Sequence, residues 1–158
     1  MNKYDELAVK LSENKDLSDA EFAALIDYEG EIPKLTRLAD AARRKVYGTE
    51  VYIRGLIEFT NYCKNDCFYC GIRRGNKNAV RYRLSSDEIL GCCREGYRLG
   101  FRTFVLQGGE DSFYTDEVMC GIVSKIRSEF ADCAITLSIG ERTRESYKRL
   151  FDAGANRY

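Results

Sequence analysis

The spacing of apolar residues divides the chain into two kinds of stretch. Up to Gly48 they recur at helical intervals. Leu7 and Leu11 mark a short amphipathic segment, and Ser18-Asp19-Ala20-Glu21 is a capping box ahead of Phe22, Leu25 and Ile26. Pro33, the only proline, suits the first turn of another helix. Leu35, Leu38, Ala42 and Val46 share one face of it, and Gly48 ends it. The run Arg43-Arg44-Lys45 reads as a solvated face.

Beyond Gly48 short apolar runs alternate with capped helices. Residues 51–59 read as a first strand. Ser85-Ser86-Asp87-Glu88 is a second capping box, opening a helix with Ile89, Cys93 and Tyr97 that stops at Gly100. Residues 101–106 are a β-branched and aromatic run, the second strand. Thr115 caps the next helix, with Asp116 and Glu117 in its first turn and Val118, Met119, Ile122, Val123 and Ile126 as its buried stripe. Residues 133–139 are the third strand. Thr143 opens a helix with Tyr147, Leu150 and Phe151, ended by Gly154, and residues 155–158 approach a fourth strand. Strand, loop, capped helix, glycine, strand is the order of βαβ units, so the expected class is α/β with a parallel sheet. No Gly-x-Gly-x-x-Gly stands at a strand-to-helix turn, which weakens a dinucleotide-binding Rossmann reading.

Composition adds boundaries. The chain has 158 residues, 44% hydrophobic and 32% charged, enough for one domain with a core and too apolar for disorder. Lys+Arg and Asp+Glu both number 25, so no global basic field favours nucleic acid or an acidic membrane. Residues 1–6 lack an apolar signal core and no apolar run is long enough for a bilayer, so no membrane is expected and the expected location is cytoplasmic. Seven cysteines, an odd number, fit a reduced compartment better than a disulfide framework.

Three of those cysteines dominate the chemistry. Cys63, Cys67 and Cys70 have the spacing C-x3-C-x2-C directly after the first strand, where parallel α/β folds build their sites. Thiolates suit iron–sulfur clusters, zinc or Cu(I). Structural zinc wants four ligands, and this chain has no histidine and no second cysteine pair at zinc-like spacing. A four-iron cubane held by three thiolates keeps one iron open for a small molecule. Buried packing is the plain alternative, but Lys64, Asn65 and Asp66 between the thiols are not a core pattern. An electron-transfer iron–sulfur protein would want a fourth protein ligand, and a zinc module would be colourless after reconstitution with iron and sulfide. Cys92, Cys93, Cys120 and Cys133 fall within elements and read as packing residues.

The flanks carry a resemblance. Ile57-Glu58-Phe59-Thr60-Asn61-Tyr62-Cys63 and Cys67-Phe68-Tyr69-Cys70-Gly71-Ile72-Arg73-Arg74 resemble the radical S-adenosylmethionine (SAM) superfamily, and within it the FeFe-hydrogenase maturase family HydE. So do Asn76-Lys77-Asn78, Arg81-Tyr82-Arg83-Leu84, Val105-Leu106-Gln107-Gly108-Gly109-Glu110 and Leu137-Ser138-Ile139-Gly140-Glu141. Biotin synthase and methylornithine synthase have a similar layout. The resemblance implies N-terminal helices (1–49) preceding and packing beneath the first half of a (β/α) TIM-type barrel (50–158), truncated at its C-terminus. A full barrel takes about 250 residues.

It further implies a 4Fe-4S cluster on Cys63, Cys67 and Cys70, reduced by an electron donor such as a ferredoxin or flavodoxin. The cluster would cleave SAM to methionine and a 5′-deoxyadenosyl radical. The substrate would be small or organometallic, in HydE a cysteine-bound iron carbonyl–cyanide species feeding the hydrogenase cofactor. The 158-residue chain alone is expected to be inactive. Residues alone make Gln107-Gly108-Gly109-Glu110 a plain β-to-α turn, although paired glycines let a ligand approach and a carboxylate can hold an ammonium. The resemblance makes Gly108, Gly109 and Glu110 the site of the SAM ammonium, with Asp111 in place of a common proline. It places Tyr69 near the adenine, though ordinary loop packing explains it as well. Ser138 and Glu141 come near the SAM ribose or methionine end, and a solvated rim serves equally for them. Lys64, Arg73, Arg74 and Lys77 either offset the cluster's charge or are simply solvated.

Overall fold

The structure, a computed structural model, describes residues 3–28 and 33–158. Two compact units divide the chain, Met1–Tyr52 and Ile53–Tyr158. The first holds helices α1 (Lys3–Asn14), α2 (Asp19–Ile26) and α3 (Pro33–Tyr47). The Ser18 capping box forms as expected, its hydroxyl accepting from the Glu21 N–H and the Glu21 carboxylate accepting from the Ser18 N–H. Tyr4, Leu7 and Ala8 of α1 are buried, and the Tyr4 ring stacks on Tyr28 at 3.9 Å. Lys10 ties α1 to Glu21 at 2.6 Å. The apolar faces read for α2 and α3 are less covered than their periodicity suggests, with Phe22, Ile26 and Val46 all exposed. Arg43 and Arg44 both pair with Asp40 on the open side of α3, in keeping with a solvated run.

The second unit alternates β1 (Gly55–Thr60), α4 (Ser86–Arg98), β2 (Thr103–Gly108), α5 (Asp116–Glu129), β3 (Ala134–Ser138) and α6 (Arg144–Asp152). The sheet is parallel, in the order β1-β2-β3. Ser85, Thr115 and Thr143 cap α4, α5 and α6, as their sequence positions require. Gly100 follows α4 at φ 95°, a backbone state open to glycine at no steric cost. The first two strands begin later than hydropathy suggests. Val51, Tyr52 and Ile53 are largely exposed and, among the described residues, outside the sheet ladder, whose first β1–β2 pair is Gly55 with Phe104. Beyond β3, Arg157 bridges Thr136 in parallel and its carbonyl accepts from the Leu137 N–H at 2.9 Å, so a fourth strand begins where expected.

Alternation sorts the strand side chains onto two faces. Ile57, Phe59, Phe104, Leu106, Ile135 and Leu137 join one core cluster with Ile89, Cys93, Met119, Ile122, Val123, Ile126 and Leu150 of the helices. On the other face Glu58, Gln107 and Ser138 stand side by side in register and exposed. Some helical positions depart from the sequence reading. Val118, Tyr147 and Phe151 are exposed because they lie off the buried stripe of their helices. Cys93 and Cys133 pack in the core and Cys120 at its border, but Cys92 is exposed on α4, a correction to its reading as packing.

Candidate functional site

Strand β1 ends in a register shift between Glu58 and Thr60, and Phe59 and Thr60 are both buried in succession. Such a bulge re-aims the chain at a sheet's rim. The loop that follows carries all three predicted cluster cysteines, none in a disulfide. Two successive turns shape its tip: the Cys70 N–H donates to the Cys67 carbonyl at 3.0 Å and the Arg73 N–H to the Cys70 carbonyl at 3.2 Å. The Arg74 N–H closes the tip onto the Asn65 carbonyl at 2.9 Å, and the Gly75 N–H reaches the Asp66 carboxylate at 2.8 Å.

A residue without an assigned role holds the loop from behind. The Arg81 guanidinium donates to the carbonyls of Asn61, Ile72 (2.8 Å), Arg73 (2.7 Å) and Asn76 (3.3 Å). Both ends of the cysteine segment therefore meet on one rigid planar fork. Asn61 adds a second clasp, donating to the Val80 carbonyl and accepting from the Tyr82 N–H.

The loop docks on the turn after β2. The Lys64 N–H donates to the Glu110 carbonyl at 3.0 Å. A Cβ on Gly109 would lie 2.2 Å from the Tyr62 carbonyl oxygen and 2.7 Å from Cys63 Cβ, and one on Gly108 would lie 2.7 Å from Thr60 Cγ2. Gly109 thus admits the cysteine loop and Gly108 the end of β1, each at a distance that a side chain would forbid.

Glu110 is the chemical centre of the turn. Its side chain is 19% exposed and meets the Lys64 ammonium at 2.8 Å, while Asn65 Nδ2 donates to its other oxygen at 2.6 Å. The Lys64 hydrogen bond holds its carboxyl below the ordinary glutamate range; partial burial pushes the other way and Asn65 assists the lowering. The same contact raises the Lys64 pKa, with Glu110 the main cause and Glu141 a further one. Gly140, at φ 82°, faces the Glu110 side chain so closely that a Cβ there would fall 1.9 Å from Cγ. Lys64, Glu110, Glu141 and Arg142 line one cleft of about 180 Å³. Arg142, also unassigned by sequence, ties this rim to α5 through Asp116 Oδ1 at 3.1 Å and the Tyr114 carbonyl at 3.2 Å.

The predicted residues are only partly brought together. Glu110 and Glu141 share the cleft with Lys64. Ser138 lies instead on the open sheet face beside Gln107, and Tyr69 is 94% exposed at the loop's tip. Among the described residues no three His, Cys, Asp or Glu side chains converge on one metal-ion point. A cubane does not ask for that, since each thiolate binds a different iron. The donor set fits such a cluster: three free thiols on one pinned loop. Glu110 is a carboxylate able to hold an ammonium, since it accepts that of Lys64.

Comparison with known proteins bears on the same region. The model of the family described as "Radical SAM superfamily" matches residues 57–158. The [FeFe] hydrogenase maturase subunit HydE of Thermotoga maritima is 46% identical over 136 residues, 86% of this chain and 38% of that protein. The 3-methylornithine synthase of Methanosarcina acetivorans is 31% identical over 156 residues, 96% of this chain and 44% of that protein. The chain thus spans less than half the length of these relatives. The crystal structure of methylornithine synthase (PylB) superposes with a TM-score of 0.77 at 30% identity, covering 95% of this chain and 45% of that one. That of HydG, a maturase of the [FeFe]-hydrogenase, gives a TM-score of 0.82 at 23% identity over 98% of this chain and 36% of that one, which speaks for the fold. The parallel sheet and its helices are the first half of the barrel these enzymes share, and the chain belongs to the radical SAM superfamily.

Proposed function

We propose that the second unit holds a 4Fe-4S cluster through Cys63, Cys67 and Cys70 and binds SAM with Glu110 on its ammonium. The observation that carries this reading is the docking of the cysteine loop on the Glu110 turn, through the Lys64 N–H and the close fit at Gly109. When bound and reduced, the cluster supplies the electron that cleaves SAM. The chain's own part is placement. Arg81 fixes the loop that presents the thiols, Asn65 orients the Glu110 carboxylate, and Glu141 adds a second negative group to the cleft. Low pKa keeps Glu110 ionised at neutral pH, the state needed to accept an ammonium. Glu58, Gln107 and Ser138 offer a polar wall to a substrate inside the barrel.

Identity of 46% to a HydE favours hydrogenase maturation as the pathway, with a small organometallic substrate and a ferredoxin- or flavodoxin-type electron donor. Methylornithine synthase is the second reading, favoured by the superposition over 95% of the chain. The test is anaerobic reconstitution of the seven single Cys→Ser variants. Loss of iron and sulfide from the variants at 63, 67 and 70, with normal loading at 92, 93, 120 and 133, supports the assignment; equal loss at any of the latter four overturns it. Glu110→Gln should leave cluster content intact and weaken SAM binding about tenfold, the worth of a charge-assisted hydrogen bond.

A further inference from the structure

Asp111 has a side chain only 3% exposed, yet it is ionisable and sits beside Glu110. Burying a carboxylate is costly unless donors surround it. Four do. Arg83 Nε and Nη2 reach its two oxygens at 2.7 and 2.9 Å, the Thr60 hydroxyl donates at 2.8 Å and the Phe113 N–H at 3.1 Å. These donors come from three segments: the bulged end of β1, the stretch returning from the cysteine loop, and the turn after β2. Burial alone would raise the Asp111 pKa, but the donors, Arg83 foremost, outweigh it and leave the carboxyl below its ordinary value.

The Arg83 guanidinium is also sandwiched between rings, 4.0 Å from the Tyr62 centroid and 4.9 Å from that of Phe113. Tyr62 immediately precedes Cys63, its N–H donates to Thr60 Oγ1 at 3.2 Å, and its carbonyl is the atom that packs on Gly109. Arg81 binds the cysteine loop to itself; Arg83 and Asp111 bind it to the Glu110 turn.

We propose that Arg83 and Asp111 are a positioning pair that sets Cys63 against Glu110. It rests on the reading of this site as one for a cluster and SAM. Neither residue touches a reacting atom. The fork on Asp111 and the stack on Tyr62 fix the two segments with respect to each other. Lysine at 83 keeps the charge and loses both the bidentate geometry and the planar stack.

The test uses amide hydrogen exchange, read residue by residue by mass spectrometry with electron-transfer fragmentation, which tolerates association of the chain. Three N–H groups are followed: Lys64, which spans the two segments; Cys70, bonded within the loop; and Leu106, inside β2. Arg83→Gln and Asp111→Asn are expected to speed exchange at Lys64 by about tenfold or more, with less than about twofold change at Cys70 and Leu106. Arg83→Lys, the milder change, should show the same selectivity and decides the matter should Arg83→Gln not fold. Unchanged exchange at Lys64, or equal acceleration at all three amides, overturns the pair as a positioning device. Iron and sulfide loading is measured separately. A wild-type chain that takes up no cluster overturns the functional reading and leaves the exchange criterion standing.

Discussion

Gly109 shows how a single missing side chain can set a site. A Cβ there would fall 2.2 Å from the Tyr62 carbonyl oxygen, so any side chain must push the cysteine loop away from the Glu110 turn. Gly109→Ala should therefore cost about 1–3 kcal/mol or more, as overpacking does. It should impair cluster loading more than helix content, measured as iron per chain against far-ultraviolet circular dichroism. The cysteines outside the loop differ just as sharply from one another. Burial, with smaller contributions from Cys92 and Cys133, pushes the Cys93 thiol up to about 12, whereas neighbouring Cys92 is exposed. A thiol reagent at pH 8 should label Cys92 in the native metal-free chain and spare Cys93, as read by mass spectrometry of the digested protein. The cysteine loop and the glycine turn after β2 could be located from sequence because their signals lie in consecutive residues. Arg83 and Asp111 could not, since they stand 28 residues apart and nothing local marks the aspartate as buried. Nor could the Lys64–Glu110 ion pair, which depends on how the loop folds over the turn.

At the scale of elements, caps proved more legible than strand ends. Each of Ser18, Ser85, Thr115 and Thr143 announces its helix through a local hydrogen bond, so a few residues suffice to read it. A strand begins where its pairing begins, and residues 51–53 are apolar enough to join a sheet whose ladder, among the described residues, starts only at Gly55. The Ser85 box is complete, with the Glu88 carboxylate accepting from the Ser85 N–H at 2.7 Å. Ser85→Ala should destabilise the second unit by about 1 kcal/mol. Thermal unfolding followed at a helix-sensitive wavelength would register it, with no change in cluster content expected.

For the molecule as a whole, the sheet has one face packed under helices and one open. Among the described residues the outer edge of β1 is closed only near its end, where Thr60 bridges Arg83 and the Leu84 N–H donates to the Phe59 carbonyl at 2.8 Å. Leu56 stays exposed. Parallel strands are normally covered on both faces, so the 158-residue chain should self-associate and should not turn over SAM, although the residues proposed to hold the cluster are present. Comparison with a version carrying a complete barrel, by sedimentation and by 5′-deoxyadenosine formation, checks both; a monomer cleaving SAM at the longer protein's rate would contradict this expectation. The Arg81 fork on four carbonyls has a consequence for how metal enters. Small metal domains often fold only on binding their ion. Here the bonds that shape the loop run through the Arg81 guanidinium, the Asp66 carboxylate and backbone groups rather than through the thiols, so cluster uptake should resemble docking on a ready surface. Calorimetry of loading should show a heat-capacity change far smaller than that of coupled folding, and Arg81→Gln should enlarge it.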